Sequence, residues 1–138
     1  MSQRRLSVPG HYQHIQQICE LVSLGAEEAG MSEQEVFHCQ LAVDEACTNI
    51  IEHGYGGEGR GQIDLACEAR EGELIIVLHD SGGPFDPTTV PQPGPYHSID
   101  DAGIGGHGLF FMRRVMDTVD FTRDGHGNVL VMTKRRGA

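Results

Sequence analysis

Apolar residues early in the chain recur at helical spacing: Ile15, Ile18, Val22, Gly25 or Ala26, and Ala29. Gly30 supplies the stop. Ahead of them, Arg5-Leu-Ser-Val8 has the pattern of a short edge strand halted by Pro9-Gly10. A second helix opens at Ser32, where Glu35 completes a capping box and Met31 and Val36 can form a hydrophobic staple. Its apolar arc is Cys39, Ala42, Val43, Ala46 and Ile50, and Gly54 ends it. At about 100° per residue, Glu45, Asn49 and His53 climb one edge of that arc in a slanted row. A carboxylate, a carboxamide and an imidazole thus border a face that should enter a core, which costs free energy unless something pairs with them. Polar rim residues on a half-exposed helix are the plain alternative.

The second half reads as strands. After a glycine-rich loop over residues 54–61, Ile63, Leu65, Cys67 and Ala69 alternate with polar residues, the pattern of a strand with one buried face. Arg70-Glu-Gly-Glu73 turns the chain. Leu74-Ile-Ile-Val-Leu78 is apolar on both sides and reads as a central strand, broken by Asp80-Ser-Gly-Gly-Pro84. Residues 84–106 hold five prolines and no periodicity. A loop of that length in a small domain is usually a lid or a binding segment. Residues 108–117 return to helix, with Leu109, Met112 and Met116 on one side. Val119 and Phe121, then Val129 and Val131, form a closing hairpin around Asp124-Gly-His-Gly-Asn128. The order predicts one domain over 1–138: an α+β, two-layer α/β sandwich with a mixed, mostly antiparallel sheet and helices on one face.

Composition narrows the chemistry. The length of 138 residues suits a single core, and a net charge of -10 argues against nucleic acid as a partner. Arg4-Arg5 and Lys134-Arg135-Arg136 read as solvated tails. No run approaches the roughly 20 apolar residues of a membrane span, and the N-terminus lacks a signal-peptide apolar region. Four cysteines without a C-x-x-C pair read as reduced, buried thiols of a cytoplasmic protein. Eight histidines show no H-E-x-x-H spacing, so a histidine-held metal is not expected.

Three segments carry chemistry. Asp80 ends a buried strand, where an unpaired carboxylate is costly. A ligand presenting an exocyclic amine, as adenine does, would satisfy it, and Gly82 and Gly83 let the backbone approach a flat base. An Asx turn at a strand end is the commoner alternative. Gly103-Ile-Gly-Gly-His-Gly108 precedes a helix and offers backbone N–H groups to an anion, without the lysine of a P-loop. Asn49 presents a carboxamide oxygen suited to Mg²⁺. Together they describe a nucleotide site with base, phosphates and metal in order.

Glu45-Ala-Cys-Thr-Asn49-Ile-Ile-Glu-His53-Gly-Tyr55 resembles the N box of the GHKL (Bergerat-fold) ATP-binding superfamily. Asp80-Ser-Gly82-Gly-Pro-Phe85-Asp86 resembles its first glycine box, and Gly105-Gly-His-Gly-Leu109-Phe-Phe-Met-Arg-Arg-Val-Met-Asp117 its second. The forms are most similar to the bacterial anti-sigma-factor serine/threonine-protein kinases, which act by partner switching. The likeness covers nearly the whole chain.

The resemblance implies ATP and Mg²⁺ as cofactors. It makes Glu45 the general base for a substrate hydroxyl, Asn49 the Mg²⁺ ligand and Asp80 the adenine-recognising carboxylate. Gly82 would lie against the base, with Phe85 in the same nucleotide site. Gly105, Gly106, His107, Gly108 and Leu109 would surround the phosphates. His53 is implied as structural or phosphate-proximal, and Thr133 as part of the adenine pocket. The implied partners are a sigma factor and an anti-sigma antagonist protein, with the kinase a homodimer. One departure stands out: the superfamily's D-x-G-x-G becomes Asp80-Ser-Gly-Gly-Pro84, which alters the pocket edge.

Other functions are weighed against this. An ATP-gated binding module without kinase activity has no need of Glu45. A sensor histidine kinase would carry a helix pair with a phospho-accepting histidine ahead of the domain, and His11 and His14 read as exposed rim residues. Topoisomerase- or chaperone-type ATPases require further domains.

Overall fold

A computed structural model describes residues 2–84 and 108–137. In chain order the elements are β1 (Ser2–Pro9), a 3-10 turn (Tyr12–His14), α1 (Ile15–Glu28), α2 (Glu33–Asn49) with a π-helical last turn (Ile50–Gly54), β2 (Gln62–Arg70), β3 (Glu73–Asp80), α3 (Gly108–Val115), β4 (Thr118–Asp124) and β5 (Gly127–Arg135). The strands form one sheet in the order β1-β2-β3-β5-β4. Every described pairing is antiparallel, so the mixed sheet expected from the sequence resolves into a wholly antiparallel one among the described residues. Tight turns join β2 to β3 and β4 to β5, and such connections admit only antiparallel ladders.

The amphipathic reading of α1 holds, since Ile15, Ile18, Val22, Gly25 and Ala26 are buried. A β-carbon at Gly25 would come within 2.9 Å of both Cys67 Sγ and Leu74 Cδ1, so α1 lies directly on β2 and β3. The capping box of α2 is formed: Glu35 N donates to Ser32 Oγ at 3.2 Å and Ser32 N donates to Glu35 Oε1 at 2.9 Å. Lys134 Nζ donates to the Val115 carbonyl at 2.6 Å, placing a cation at the C-terminus of α3.

Helices pack on one face of the sheet, against Ile63, Leu65, Cys67, Ile76, Leu78 and Met132. β3 is central, as its apolar run predicts. On its other side, Ile75 and Val77 are only half-buried, and Val129 and Val131 of β5 share that outer face. The buried apolar side chains of β5 are therefore Leu130 and Met132, the opposite parity from the two valines. Cys39, Cys47 and Cys67 are buried free thiols and Cys19 is half-buried. Burial pushes Cys19 and Cys67 to about 11 and Cys39 to about 12.

Candidate functional site

β3 runs under the helices and carries its last side chain, Asp80, into the end of the core. Among the described residues Asp80 is the buried charged side chain, at 4% exposure. Its Oδ1 accepts from Gly82 N at 2.9 Å and from Asn128 Nδ2 at 3.0 Å. The Asx turn weighed from the sequence is thus present, and it occupies one carboxylate oxygen. Asp80 also lines a partly open cleft, together with Ala46, Asn49 and Ile50 of α2, Met112 of α3, and Val129 and Leu130 of β5. A mostly apolar cleft with a few convergent polar groups is the usual form of a small-molecule site.

Asn49 and Asp80 both line this one cleft. Glu45 stands one turn before Asn49 and is half-buried. Burial raises its pKa, and the charges of Asp44 and Glu52 raise it further. Among the described residues nothing donates a hydrogen bond to it. A desolvated, unpaired carboxylate is a stronger proton acceptor than an ordinary glutamate.

The slanted row does not extend to His53. The last turn of the helix closes with a π-type bond, Tyr55 N to Ile50 O at 2.9 Å, and this wider turn carries His53 out to an exposed position. The π turn has a use. It presents the Gly54 carbonyl to Gly83 N at 2.9 Å and lays the Gly54 backbone against Gly82. A β-carbon at Gly82 would meet Gly54 O at 2.5 Å, so this backbone contact by itself requires glycine there. Ser81 N donates to Tyr55 Oη at 3.0 Å, and the Tyr55 hydroxyl donates to the Gln62 carbonyl. The end of α2 and the turn after β3 are one bonded unit.

Thr133 is not brought to this site. It sits on the outer face of β5, opposite Ile75 and Thr118, and its hydroxyl pairs with Thr118 Oγ1 at 2.6 Å. It is not among the described residues that line the cleft. Gly108 begins α3, and Leu109 is buried beneath it. Phe85, Gly105, Gly106 and His107 lie outside the described residues, as does most of the proline-rich segment.

Two residues near the site were not foreseen. Asn128 stands opposite Asp80 on β5, and Arg123 stands opposite Asn128 on β4. Asn128 Nδ2 also donates to Gly83 O at 2.8 Å. The hairpin segment containing Asn128 reads as a turn, and only the strand register reveals what it faces.

The pattern of the histidine kinase-like ATPase domain matches residues 8–134. Serine-protein kinase RsbW of Listeria innocua serovar 6a is 38% identical over 126 residues, covering 83% of this chain and 80% of that protein. Serine-protein kinase RsbW of Bacillus subtilis (strain 168) is 31% identical over 133 residues, covering 94% and 82%. Among solved structures, the RsbU and RsbW domains of Rv1364c from Mycobacterium tuberculosis superpose with a TM-score of 0.68 at 16% identity, covering 100% of this chain and 34% of that one. The catalytic domain of the histidine kinase ThkA superposes with a TM-score of 0.56 at 13% identity, covering 99% and 97%. These two structures share the fold: an open antiparallel sheet with helices on one side. The motif order, the cleft between α2 and β3, and these likenesses agree: the chain belongs to the histidine kinase-like ATPase family, among the relatives of the serine-protein kinase RsbW.

Proposed function

We propose that this chain is an ATP-dependent serine/threonine-protein kinase and anti-sigma regulatory factor. Its substrate is an anti-sigma antagonist protein, and the antagonist competes with a sigma factor for it in a cytoplasmic partner-switching system. One observation carries the reading: a buried carboxylate, Asp80, and a carboxamide, Asn49, line one cleft, with the carboxylate of Glu45, unpaired among the described residues, a turn away.

In this reading Asp80 receives the amino group of adenine on the oxygen that Gly82 and Asn128 leave free. The apolar walls formed by Ile50, Met112 and Leu130 hold the ring. The N-terminus of α3, with Gly108 and Leu109, belongs at the phosphates, together with Gly105, Gly106 and His107, and Phe85 counts among the nucleotide-binding residues. The donor set suits Mg²⁺: among the described residues, the Asn49 side chain is committed to no hydrogen bond and presents an oxygen, and Mg²⁺ prefers one or two such ligands plus phosphates and water. When bound, the ion supplies charge neutralisation to the transferring phosphoryl group. Glu45 takes the proton from the attacking serine or threonine hydroxyl as its oxygen bonds to the γ-phosphorus and the bond to ADP breaks.

A homodimer belongs to the same proposal. The strip of half-buried Ile75, Val77, Val129 and Val131 on the outer sheet face is the surface we assign to a second copy, since among the described residues no helix covers it. Nucleic acid has no place in the proposal, given the net charge of -10.

The decisive experiment uses purified protein, Mg²⁺ and γ-labelled ATP with antagonist-type proteins. Label on a serine or threonine of one of them is the expected result. Glu45→Gln is expected to bind ATP normally and to transfer phosphate at least about 100-fold more slowly, the usual scale of a general base. Equal transfer by the two proteins would remove that role. ATP binding without labelling of any candidate would instead favour an ATP-gated binding module.

A further inference from the structure

The hairpin of β4 and β5 reaches the turn after β3 through two side chains. Arg123 Nη1 donates to Gly82 O at 3.1 Å and to Asn128 Oδ1 at 3.1 Å. Asn128 Nδ2 donates in turn to Asp80 Oδ1 at 3.0 Å and to Gly83 O at 2.8 Å. A carboxamide has one accepting and one donating end, and turning it over exchanges them. Here the turned-over form would set the amide nitrogen against the guanidinium and the amide oxygen against the Asp80 carboxylate. Both contacts would be repulsive. The Arg123 guanidinium therefore selects the orientation in which Asn128 donates to Asp80.

The chain of bonds has a definite end. With Gly82 N and Asn128 Nδ2 on Oδ1, the other oxygen of Asp80 is the one left for a ligand. Arg123 also holds the carbonyl of Gly82, and Asn128 that of Gly83, so the turn cannot rotate its peptide groups without breaking these bonds. Arg123 itself is exposed, and among its described contacts none reaches the core.

From this geometry we infer that Arg123 is a positioning residue for nucleotide-base selection, acting through Asn128 to hold the Asp80 carboxylate in the rotamer that accepts an exocyclic amine. A base with a carbonyl at that position presents an acceptor to an acceptor and is rejected only while the carboxylate is held. The inference rests on the reading of Asp80 as the base-recognising group.

The test is a double-mutant cycle read on two nucleotides. Dissociation constants for Mg²⁺–ATP and Mg²⁺–ITP, whose bases differ in having an amine or a carbonyl at C6, are measured by calorimetry. The proteins are wild type, Arg123→Ala, Asn128→Ala, the double variant and Asp80→Asn. Each single variant is expected to weaken ATP about ten-fold, the effect of losing a hydrogen bond to a charged group. ITP should change by less than about three-fold, so that base preference collapses. The double variant should match Asn128→Ala within about three-fold, because the two residues act in series. In the kinase assay KM for ATP should rise while kcat holds, and Arg123→Lys should recover part of the loss.

Three results would overturn the inference. Additive losses approaching about 100-fold in the double variant would mean that Arg123 acts on the nucleotide directly. Equal losses for ATP and ITP would mean a general loosening of the fold. An Arg123→Ala protein with wild-type affinity and preference would mean that the guanidinium selects nothing. If instead Asp80→Asn binds ATP like wild type, the reading of the site fails as well, and the two failures are told apart by that one protein.

Discussion

Glu45 owes its raised pKa first to burial and then to two neighbouring charges, Asp44 and Glu52. A general base works only when deprotonated, so the rate falls as pH drops through its pKa. Negative neighbours disfavour the anion and move that limb upward. Replacing Asp44, which is exposed and lies on the other side of the helix edge, removes one of those charges. We therefore expect the acid limb of the kcat–pH profile in Asp44→Asn to lie at lower pH than in wild type, with the alkaline side unchanged. An unmoved or upward-shifted limb would count against Glu45 as the titrating group. Legibility in the sequence follows from how each residue is placed. Glu45 and Asn49 are four apart on one helix, and Asp80 ends a buried strand before two glycines, so local pattern suffices to bring out all three. Asn128 and Arg123 act through cross-strand register, which local pattern does not reveal. Thr133 is likewise placed by register, its hydroxyl pairing across β5 and β4 with Thr118.

At the scale of elements, α2 carries most of the chemistry, and both of its ends matter. Its start is set by the Ser32–Glu35 box, which the sequence displays in full. Ser32→Ala should cost about 1 kcal/mol. That corresponds to a fall in melting temperature of roughly 4 °C, measurable by circular dichroism. A variant that melts with wild type would show that the cap is redundant. Its far end was less legible. Nothing in Ile50-Ile-Glu-His-Gly54 distinguishes an α turn from a π turn by composition, and the choice is made by what the Gly54 carbonyl must reach. The bond from Gly83 N to Gly54 O supplies that reason, and His53 is moved aside as a result. β3 shows a comparable split. Its apolar run predicts a central strand, and it is central, yet the same run leaves Ile75 and Val77 on the uncovered side.

For the whole molecule, that side, which no described helix covers, is the feature the described residues leave without a partner layer. Val77 and Val131 face each other at the centre of the outer surface. Val77→Lys should leave the fold intact and convert a sedimenting dimer to monomer. A dimer that survives the lysine would place the contact between copies elsewhere. The element order and one-sided layering were readable from periodicity, because each helix and strand carries its own pattern. The antiparallel direction of every rung was not, since it depends on how non-consecutive strands such as β3 and β5 meet. The contact between Gly54 and Gly82 also has a bearing on inheritance. The two lie 28 positions apart in the gene but share one van der Waals boundary, with room for no side chain at Gly82 while the Gly54 carbonyl stays in place. A lineage that gains a side chain at the second position must also rebuild the end of the helix that bears the first.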